Sequence, residues 1–266
     1  MRTFHDHIIC TACGTQYARN NGQHFTCPIC IDDRQYIPES GQTWTNLALL
    51  QKKHGITTRM VREGLIEIQS VPAFAIGQRA LLVLHPSGNI LWDCIAPVND
   101  AIIDFIRARG GVKAIAFSHP HYYTTMNVWA DVFDCPIFIH EADEQWIFNR
   151  GPHVQLWKGE ELSVSGDMTL HRIGGHFPGS SILRIAQEKE PAFICCGDTF
   201  YCSPSKQHLA AMYSYPNRIP LPLAEIKRIR ERMQSIPFDA LYGFYDYQDI
   251  HKGAKALLET SLERYC

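Results

Sequence analysis

Histidines at a spacing typical of metal ligands lie in the middle of this 266-residue chain. His119 and His121, separated by Pro120, follow the apolar run 113–117, so both imidazoles are expected where a buried strand passes into a loop. Two histidines with one residue between them can direct both rings at one point, and imidazole nitrogen is a common zinc ligand. The stretch 118–124 is therefore the first candidate for a metal centre.

Cysteines near the N-terminus form a second candidate. Two C-x-x-C pairs with 13 residues between them suit a tetrahedral zinc site with four thiolate ligands, Cys10, Cys13, Cys27 and Cys30. A segment this short has little apolar mass, so metal binding would supply much of its folding free energy. The pattern predicts a structural zinc ribbon over residues 1–42. A redox dithiol and unpaired thiols are the alternatives.

The composition limits the classes of partner and compartment. A net charge of −2 with neutral histidines gives no basic field for binding nucleic acid. The ribbon is therefore expected to be a small metal-stabilised module that binds a protein partner. We find no apolar run long enough to cross a membrane and no export signal. The ten cysteines are not arranged as a disulfide framework, and a reducing cytoplasm is the expected compartment.

Hydrophobic periodicity predicts how these residues are positioned. Residues 43–60 are expected to form a connecting helix and linker, with a threonine N-cap near residue 45 and a stop at Gly55. From residue 61 to 266, strand runs alternate with helices and hairpins, which favours a layered α+β domain. The expected strands are 65–68, 80–84, 89–93, 113–117, 136–140, 154–157, 168–173, 181–185, 192–196 and 240–242. The expected helices are 98–109, 125–133 after a cap at Thr124 or Thr125, 223–234 and 250–264.

Two later segments contain further residues that could bind a metal. His176 lies within the glycine-rich stretch 174–180, where Pro178-Gly179 requires a turn. Asp198 follows a buried strand and a glycine, and a carboxylate placed there is costly unless it is paired or bound to a metal.

In this order and spacing, the segments resemble the metallo-β-lactamase superfamily over about residues 60–266. Its signature is H-x-H-x-D-H, then a glycine-rich turn with a third histidine, then Gly-Asp, then a late Gly-His. His119, His121, His176 and Asp198 match the ligand positions, and Asp93 matches an early aspartate that ends a strand. The resemblance implies an αββα sandwich over residues 61–266, with the metal site at one edge between the sheets.

The departures from the signature concern the second metal of the family. Tyr123, Thr124 and Phe244 occupy the positions of the residues that bind only this second metal. The three histidines of the first metal are retained, so the resemblance implies one metal rather than two. Three histidines suit zinc with an open fourth position, but two histidines with Asp198 would also suit iron(II), so the metal is zinc or iron.

The resemblance implies a hydrolase in which a metal-bound water attacks an ester, thioester or lactone, with a small molecule as substrate. Asp198 would act as a fourth ligand or as the catalytic group that orients the water and accepts its proton. Tyr122, Tyr123 and Phe244 are interpreted as walls of the substrate pocket, and the loop 212–217 is expected at its mouth. The alternatives are a degenerate, non-catalytic ligand- or partner-binding protein and an oxidoreductase resembling the mononuclear iron sulfur dioxygenases.

Overall fold

The structure is a computed structural model that describes residues 7–18 and 26–265. Its strands are β1 (Ile8–Cys10), β2 (Gln16–Tyr17), β3 (Trp44–Thr45), β4 (Gly55–Arg62), β5 (Leu65–Val71), β6 (Ala80–Val83), β7 (Ile90–Trp92), β8 (Ala114–Ala116), β9 (Ile137–His140), β10 (Val154–Trp157), β11 (Glu161–Ser165), β12 (Met168–Arg172), β13 (Ser181–Ile185), β14 (Phe193–Gly197), β15 (Tyr201–Cys202), β16 (Leu209–Ala210), β17 (Met212–Ser214), β18 (Ile219–Pro220) and β19 (Ala240–Gly243). Its α-helices are α1 (Leu47–Lys53), α2 (Asp100–Arg107), α3 (Met126–Phe133), α4 (Leu223–Gln234) and α5 (Ala254–Glu263).

Two sheets are stacked face to face. One has the order β10-β9-β8-β7-β6-β5-β4, with parallel pairing from β7 to β10. The other has the order β11-β12-β13-β14-β19, with β14 and β19 parallel. Leu81 and Trp92 of the first sheet pack against Leu183 and Phe193 of the second. Because strands with apolar side chains on both faces must be covered on both faces, each sheet also needs a helical layer.

Helices supply those outer layers. Helices α2 and α3 cover the first sheet, where Ile103 and Trp129 join the core that includes Leu82. Helices α4 and α5 cover the second sheet, where Ile229 and Leu258 pack in a core with strands β13, β14 and β19. The predicted α+β class and αββα sandwich are confirmed. In the described residues, no helix is both long and apolar enough to cross a membrane.

The cysteine-rich segment lies on one edge of the sandwich. Its small sheet has the order β2-β1-β3. The Gln16 backbone N–H donates to the Thr124 carbonyl at 3.3 Å, and the Asn217 side-chain amide donates to the carbonyls of Asp33 and Gln35 at 2.9 Å each. These bonds join the segment to the loops that follow β8 and β17.

The structure differs from the expected elements near the linker. Strand β4 begins at Gly55 and pairs along β5, although residues 55–60 were assigned to the linker. The strand escapes detection because most of its side chains are exposed and it has no apolar run. Helix α1 is capped by Asn46, whose Oδ1 accepts the Leu49 N–H at 2.9 Å, rather than by the predicted threonine. Strand β11, with its alternating polar residues, was also not predicted.

Candidate active site and metal centres

The histidine cluster lies where strands end and loops begin. His119 and His121 follow β8, His176 follows β12, and Asp198 follows β14. Asp93 follows β7, which pairs in parallel with β8. Loops at this edge of the two stacked sheets therefore bring together side chains that are up to 105 residues apart in sequence.

The inward-facing atoms of the cluster have the spacing of a metal's coordination shell. Nδ1, Nε2 or carboxylate atoms of His119, His121, His176 and Asp198 all lie within 4.8 Å of one another. His176 Nε2 is 3.4 Å from His121 Nδ1, and Asp198 Oδ2 is 3.5 Å from His119 Nε2 and 3.7 Å from His176 Nε2. A tetrahedral ion with ligands at about 2.1 Å places them roughly 3.4 Å apart. The four groups can hold one ion.

Neighbouring groups fix the orientation of two of the rings. The hydroxyl of Ser118 donates to Asp93 at 2.9 Å and lies 2.8 Å from His119 Nδ1, whose proton it can accept. His176 Nδ1 donates to the Tyr213 carbonyl at 2.8 Å. A proton held on Nδ1 leaves the Nε2 lone pair of both rings free to face the centre.

Burial keeps these histidines neutral. It lowers the pKa of His119 and His121 well below the usual value, and it lowers the pKa of His176 to about 4. Burial also raises the pKa of Asp198 to about 7, against the effect of a hydrogen bond from Tyr122. Neutral imidazoles present lone pairs, and a cation at the centre would favour the ionised carboxylate. The donor set is therefore suited to a divalent metal.

The positions that the resemblance assigns to a second metal make other contacts in this structure. Tyr122 Oη donates to Asp198 Oδ1 at 2.8 Å, and the other carboxylate oxygen lies beside His119 and His176. Phe244 lies over Tyr122 with the ring centroids 5.9 Å apart. Tyr123 was interpreted as a pocket wall, but its ring packs in the core against Phe117 at 5.0 Å because its backbone lies within the buried turn after β8.

The four ribbon cysteines also form a cluster. Their Sγ atoms lie within 4.8 Å of one another, with 3.7 Å between Cys10 and Cys30 and 3.5 Å between Cys13 and Cys27. These distances are far longer than a disulfide of about 2.05 Å and close to the roughly 3.8 Å separation of thiolates around a tetrahedral zinc. Gln42 Nε2 also donates to Cys10 Sγ at 3.3 Å. This cluster can hold a second, separate ion.

A ribbon arginine, which no local sequence pattern marks as part of the site, contacts the loop that carries His176. Arg34 Nε donates to the His176 carbonyl at 2.5 Å. Its guanidinium lies over the rings of Phe177 and Tyr213, at 4.4 Å and 4.2 Å from their centroids, and pairs with Asp32 at 2.9 Å. Because the Tyr213 carbonyl also accepts the hydrogen bond from His176 Nδ1, Arg34 supports this histidine from two sides.

A buried carboxylate, also not identified from the sequence, holds the other end of the same loop. Asp143 Oδ1 accepts the Gly179 N–H at 2.7 Å. A Cβ atom at position 179 would lie 2.7 Å from the Asp143 Cγ, so the contact requires glycine. Burial raises the pKa of Asp143 to about 7.

A cavity of about 370 Å³ opens at Asp198. The ribbon, the loop after β5, the hairpin β17–β18 and the segments after β14 and β19 supply its lining: Ala12, Gln35, Tyr36, Pro38, Ala75, Ile76, Asp198, Tyr201, Met212, Tyr215, Pro216, Arg218, Phe244, Tyr245 and Tyr247. Phe244 and part of the 212–217 segment are among these lining residues. Tyr122 does not line the cavity and lies behind Asp198.

Comparison with known proteins identifies the family and the fold. No protein-family model matches the chain. The chain is 37% identical over 262 residues to the "uncharacterized protein YmaE" of Bacillus subtilis (strain 168), covering 97% of this chain and 95% of that protein. The DIM-1 metallo-β-lactamase has a TM-score of 0.58 at 13% identity, covering 79% of this chain and 98% of that chain. A metallo-β-lactamase from Cronobacter sakazakii has a TM-score of 0.52 at 16% identity, covering 78% of this chain and 91% of that chain. The chain therefore belongs to the family of YmaE, and it has the metallo-β-lactamase fold.

Proposed function

We propose that the protein is a mononuclear metal-dependent hydrolase that cleaves an ester, thioester or lactone. The observation that carries this proposal is that the two carboxylate oxygens of Asp198 make different contacts. Its Oδ2 lies within 3.7 Å of the Nε2 atoms of His119 and His176, while its Oδ1 accepts the hydrogen bond of Tyr122. When bound, the metal supplies Lewis acidity towards a water molecule and the substrate carbonyl.

The residues of the chain have separate roles in this reaction. His119, His121 and His176 hold the ion, and Asp198 Oδ2 orients the water and accepts its proton. Tyr122 fixes the plane of the carboxylate. The water oxygen adds to the acyl carbon, the bond from that carbon to the leaving oxygen or sulfur breaks, and a carboxylic acid and an alcohol or thiol result. A lactone opens to a hydroxy acid in the same way.

We further propose zinc as the metal in both clusters. Three imidazoles with an open position suit catalytic zinc, and four thiolates suit structural zinc. Thiolates of this kind must stay reduced, which supports a cytoplasmic location.

The number of metal ions per chain tests the metal centre. We expect two ions in the wild-type protein, one in His119→Ala, and two in His208→Ala, a matched control at an exposed histidine. Elemental analysis of protein purified without chelators gives the counts and the identity of the metal. Three ions in the wild type would overturn the mononuclear assignment, and an unchanged count in His119→Ala would overturn the histidine site.

Turnover tests the reaction. We expect the fully loaded wild type to hydrolyse members of a panel of esters, thioesters and lactones, and His119→Ala to lose that activity. Absence of turnover across the panel by protein carrying both ions would reject the hydrolase and favour the non-catalytic, ligand-binding alternative. Iron at the histidine site, in place of zinc, would instead favour an oxidation.

A further inference from the structure

Aromatic rings supply six of the fifteen residues that line the cavity at Asp198. They come from four separate parts of the chain, including the ribbon: Tyr36, Tyr201, Tyr215, Phe244, Tyr245 and Tyr247. The volume of about 370 Å³ lies within the range of small-molecule sites, roughly 300–1,000 Å³. The cavity is therefore large enough for a small substrate whose scissile bond reaches the histidine cluster.

The rings form two rows that lead to the metal centre. In one row, Tyr247 stacks on Tyr245 with centroids 5.2 Å apart, Tyr245 meets Phe244 at 4.0 Å, and Phe244 meets Tyr122 at 5.9 Å. In the other row, Tyr201 meets Tyr215 at 5.4 Å, and Tyr215 lies 5.6 Å from His176. The two rows meet, because the Tyr201 and Phe244 centroids are 6.4 Å apart. A flat ring in the cavity would therefore lie against both rows beside Asp198 rather than between them.

Four of the five tyrosine hydroxyls in the wall have hydrogen-bond partners within the protein. Tyr245 Oη donates to the Ile76 carbonyl at 2.6 Å, and Tyr215 Oη donates to the Ala210 carbonyl at 3.2 Å. The hydroxyls of Tyr201 and Tyr247 lie 3.4 Å from each other. Besides the polar side chains of Gln35, Asp198 and Arg218, the wall therefore offers mainly ring faces and edges to a ligand, which favours a ligand recognised by stacking.

We propose that this cavity binds a planar aromatic ring of the substrate, so that the preferred substrates are esters or thioesters of arylalkyl carboxylic acids. Tyr36 and Pro38 give the ribbon a direct part in binding, because both residues line the cavity. The cleavage step rests on the proposed hydrolase function. The selection of a planar ring rests only on the ring rows and can be measured without turnover.

A matched pair of esters separates ring stacking from simple hydrophobic burial. Methyl phenylacetate and methyl cyclohexylacetate have the same ester group and the same number of carbon atoms, but the saturated ring is puckered and more hydrophobic. We expect kcat/KM to favour the phenyl ester by about fivefold or more, because one favourable ring pair accounts for roughly that factor. Equal rates, or a preference for the cyclohexyl ester, would overturn the proposal.

Two exposed rings of the wall allow a test by substitution. Tyr36 and Tyr247 are 55% and 45% exposed, so leucine at either position should leave the fold intact. We expect Tyr247→Leu and Tyr36→Leu each to reduce the kcat/KM preference for the phenyl ester over the cyclohexyl ester by about threefold, and the double variant to abolish it. Tyr265→Leu, at a 38% exposed ring outside the cavity, should keep the wild-type preference. If the double variant keeps the full preference for the phenyl ester, Tyr36 and Tyr247 do not belong to the site that binds the ring.

Calorimetric binding of the two acids, phenylacetate and cyclohexylacetate, separates this inference from the proposed function. Tighter binding of phenylacetate, lost in the double variant, supports the ring site even where no ester is hydrolysed. Hydrolysis of both esters together with equal binding of the two acids supports the hydrolase and overturns the ring site. Equal binding without hydrolysis overturns both.

Discussion

At the scale of single residues, Ser118 connects the metal centre to a buried carboxylate. Its hydroxyl lies between Asp93 and His119 Nδ1, and its backbone N–H also donates to Asp93 at 2.8 Å. Gly197 leaves room for this hydroxyl, because a Cβ atom there would lie 2.2 Å from the Ser118 Oγ. The arrangement holds the proton of His119 on the ring nitrogen that faces away from the cluster.

Replacing this serine should weaken metal binding without removing a ligand. In Ser118→Ala, His119 loses the group that orients its ring, and we expect metal affinity at the histidine site to fall by about 10- to 100-fold. Competition with a chelator of known affinity measures the change. Ser205→Ala, at an exposed serine remote from Asp93, is the control and should bind as the wild type does. An unchanged affinity in Ser118→Ala would show that the serine does not orient the ligand.

At the scale of elements, the loop 174–180 depends on groups from other parts of the chain. Arg34 holds the His176 carbonyl, and Asp143 holds the Gly179 N–H. The Asp143 carboxyl faces the positive charges of Arg34 and Arg172, but burial is the larger effect and raises its pKa to about 7. The folded protein thus binds the Asp143 proton more tightly than the unfolded chain does.

This shift predicts a pH dependence of stability. The usual pKa of the group is 3.8, so its contribution to stability is fully present below about pH 4 and is lost as the pH rises to about 7. Asp143→Asn keeps an oxygen acceptor for Gly179 but cannot ionise. The unfolding free energy of the wild type relative to this variant should fall by up to about 4 kcal/mol between pH 4 and pH 7.

Urea unfolding at several pH values measures that difference, and comparison with the variant cancels the titration of groups that both proteins share. Asp104→Asn, at an exposed aspartate on α2, serves as the control and should follow the wild-type profile. A constant difference between wild type and Asp143→Asn across this range would mean that Asp143 is ionised in the folded protein throughout.

The elements and residues that could be predicted are those with a local pattern. Apolar runs indicated the buried strands, and the order of His119, His121, His176 and Asp198 indicated the cluster. Strand β4 was missed because an exposed edge strand lacks such a run. The supporting contacts have no local pattern, because Tyr122 is 76 residues from Asp198, Arg34 is 142 residues from His176, and Asp143 is 36 residues from Gly179.

At the scale of the whole molecule, the ribbon and the sandwich share one site. The ribbon supplies Tyr36 and Pro38 to the cavity and Arg34 to the His176 loop. The cysteine cluster fixes the backbone just before these residues, since Cys30 is four residues from Arg34. An ion in the ribbon is therefore expected to hold Arg34 in place and to favour the arrangement of His176 that binds the second ion.

Loss of the ribbon ion should accordingly weaken the histidine site. In Cys10→Ser/Cys13→Ser we expect metal affinity at the histidine site to fall by about tenfold, a coupling of about 1.4 kcal/mol. Arg34→Met keeps an apolar contact with the rings of Phe177 and Tyr213 but loses the hydrogen bond to His176, so it should cause a similar loss while the ribbon keeps its ion. Arg150→Met, at an exposed arginine, is the matched control.

Combining the substitutions tests whether Arg34 carries the coupling. If it does, adding Cys10→Ser/Cys13→Ser to Arg34→Met causes little further loss of metal affinity at the histidine site, because the hydrogen bond from Arg34 to His176 is already absent. Linkage requires the reverse effect as well: filling the histidine site should tighten the ribbon ion by the same factor in the wild type and by less in Arg34→Met. Additive losses in the combined protein would show that the ribbon ion and Arg34 act on the histidine site independently, so that Arg34 does not carry the coupling. An unchanged affinity at the histidine site in Cys10→Ser/Cys13→Ser would show that the two metal sites act independently.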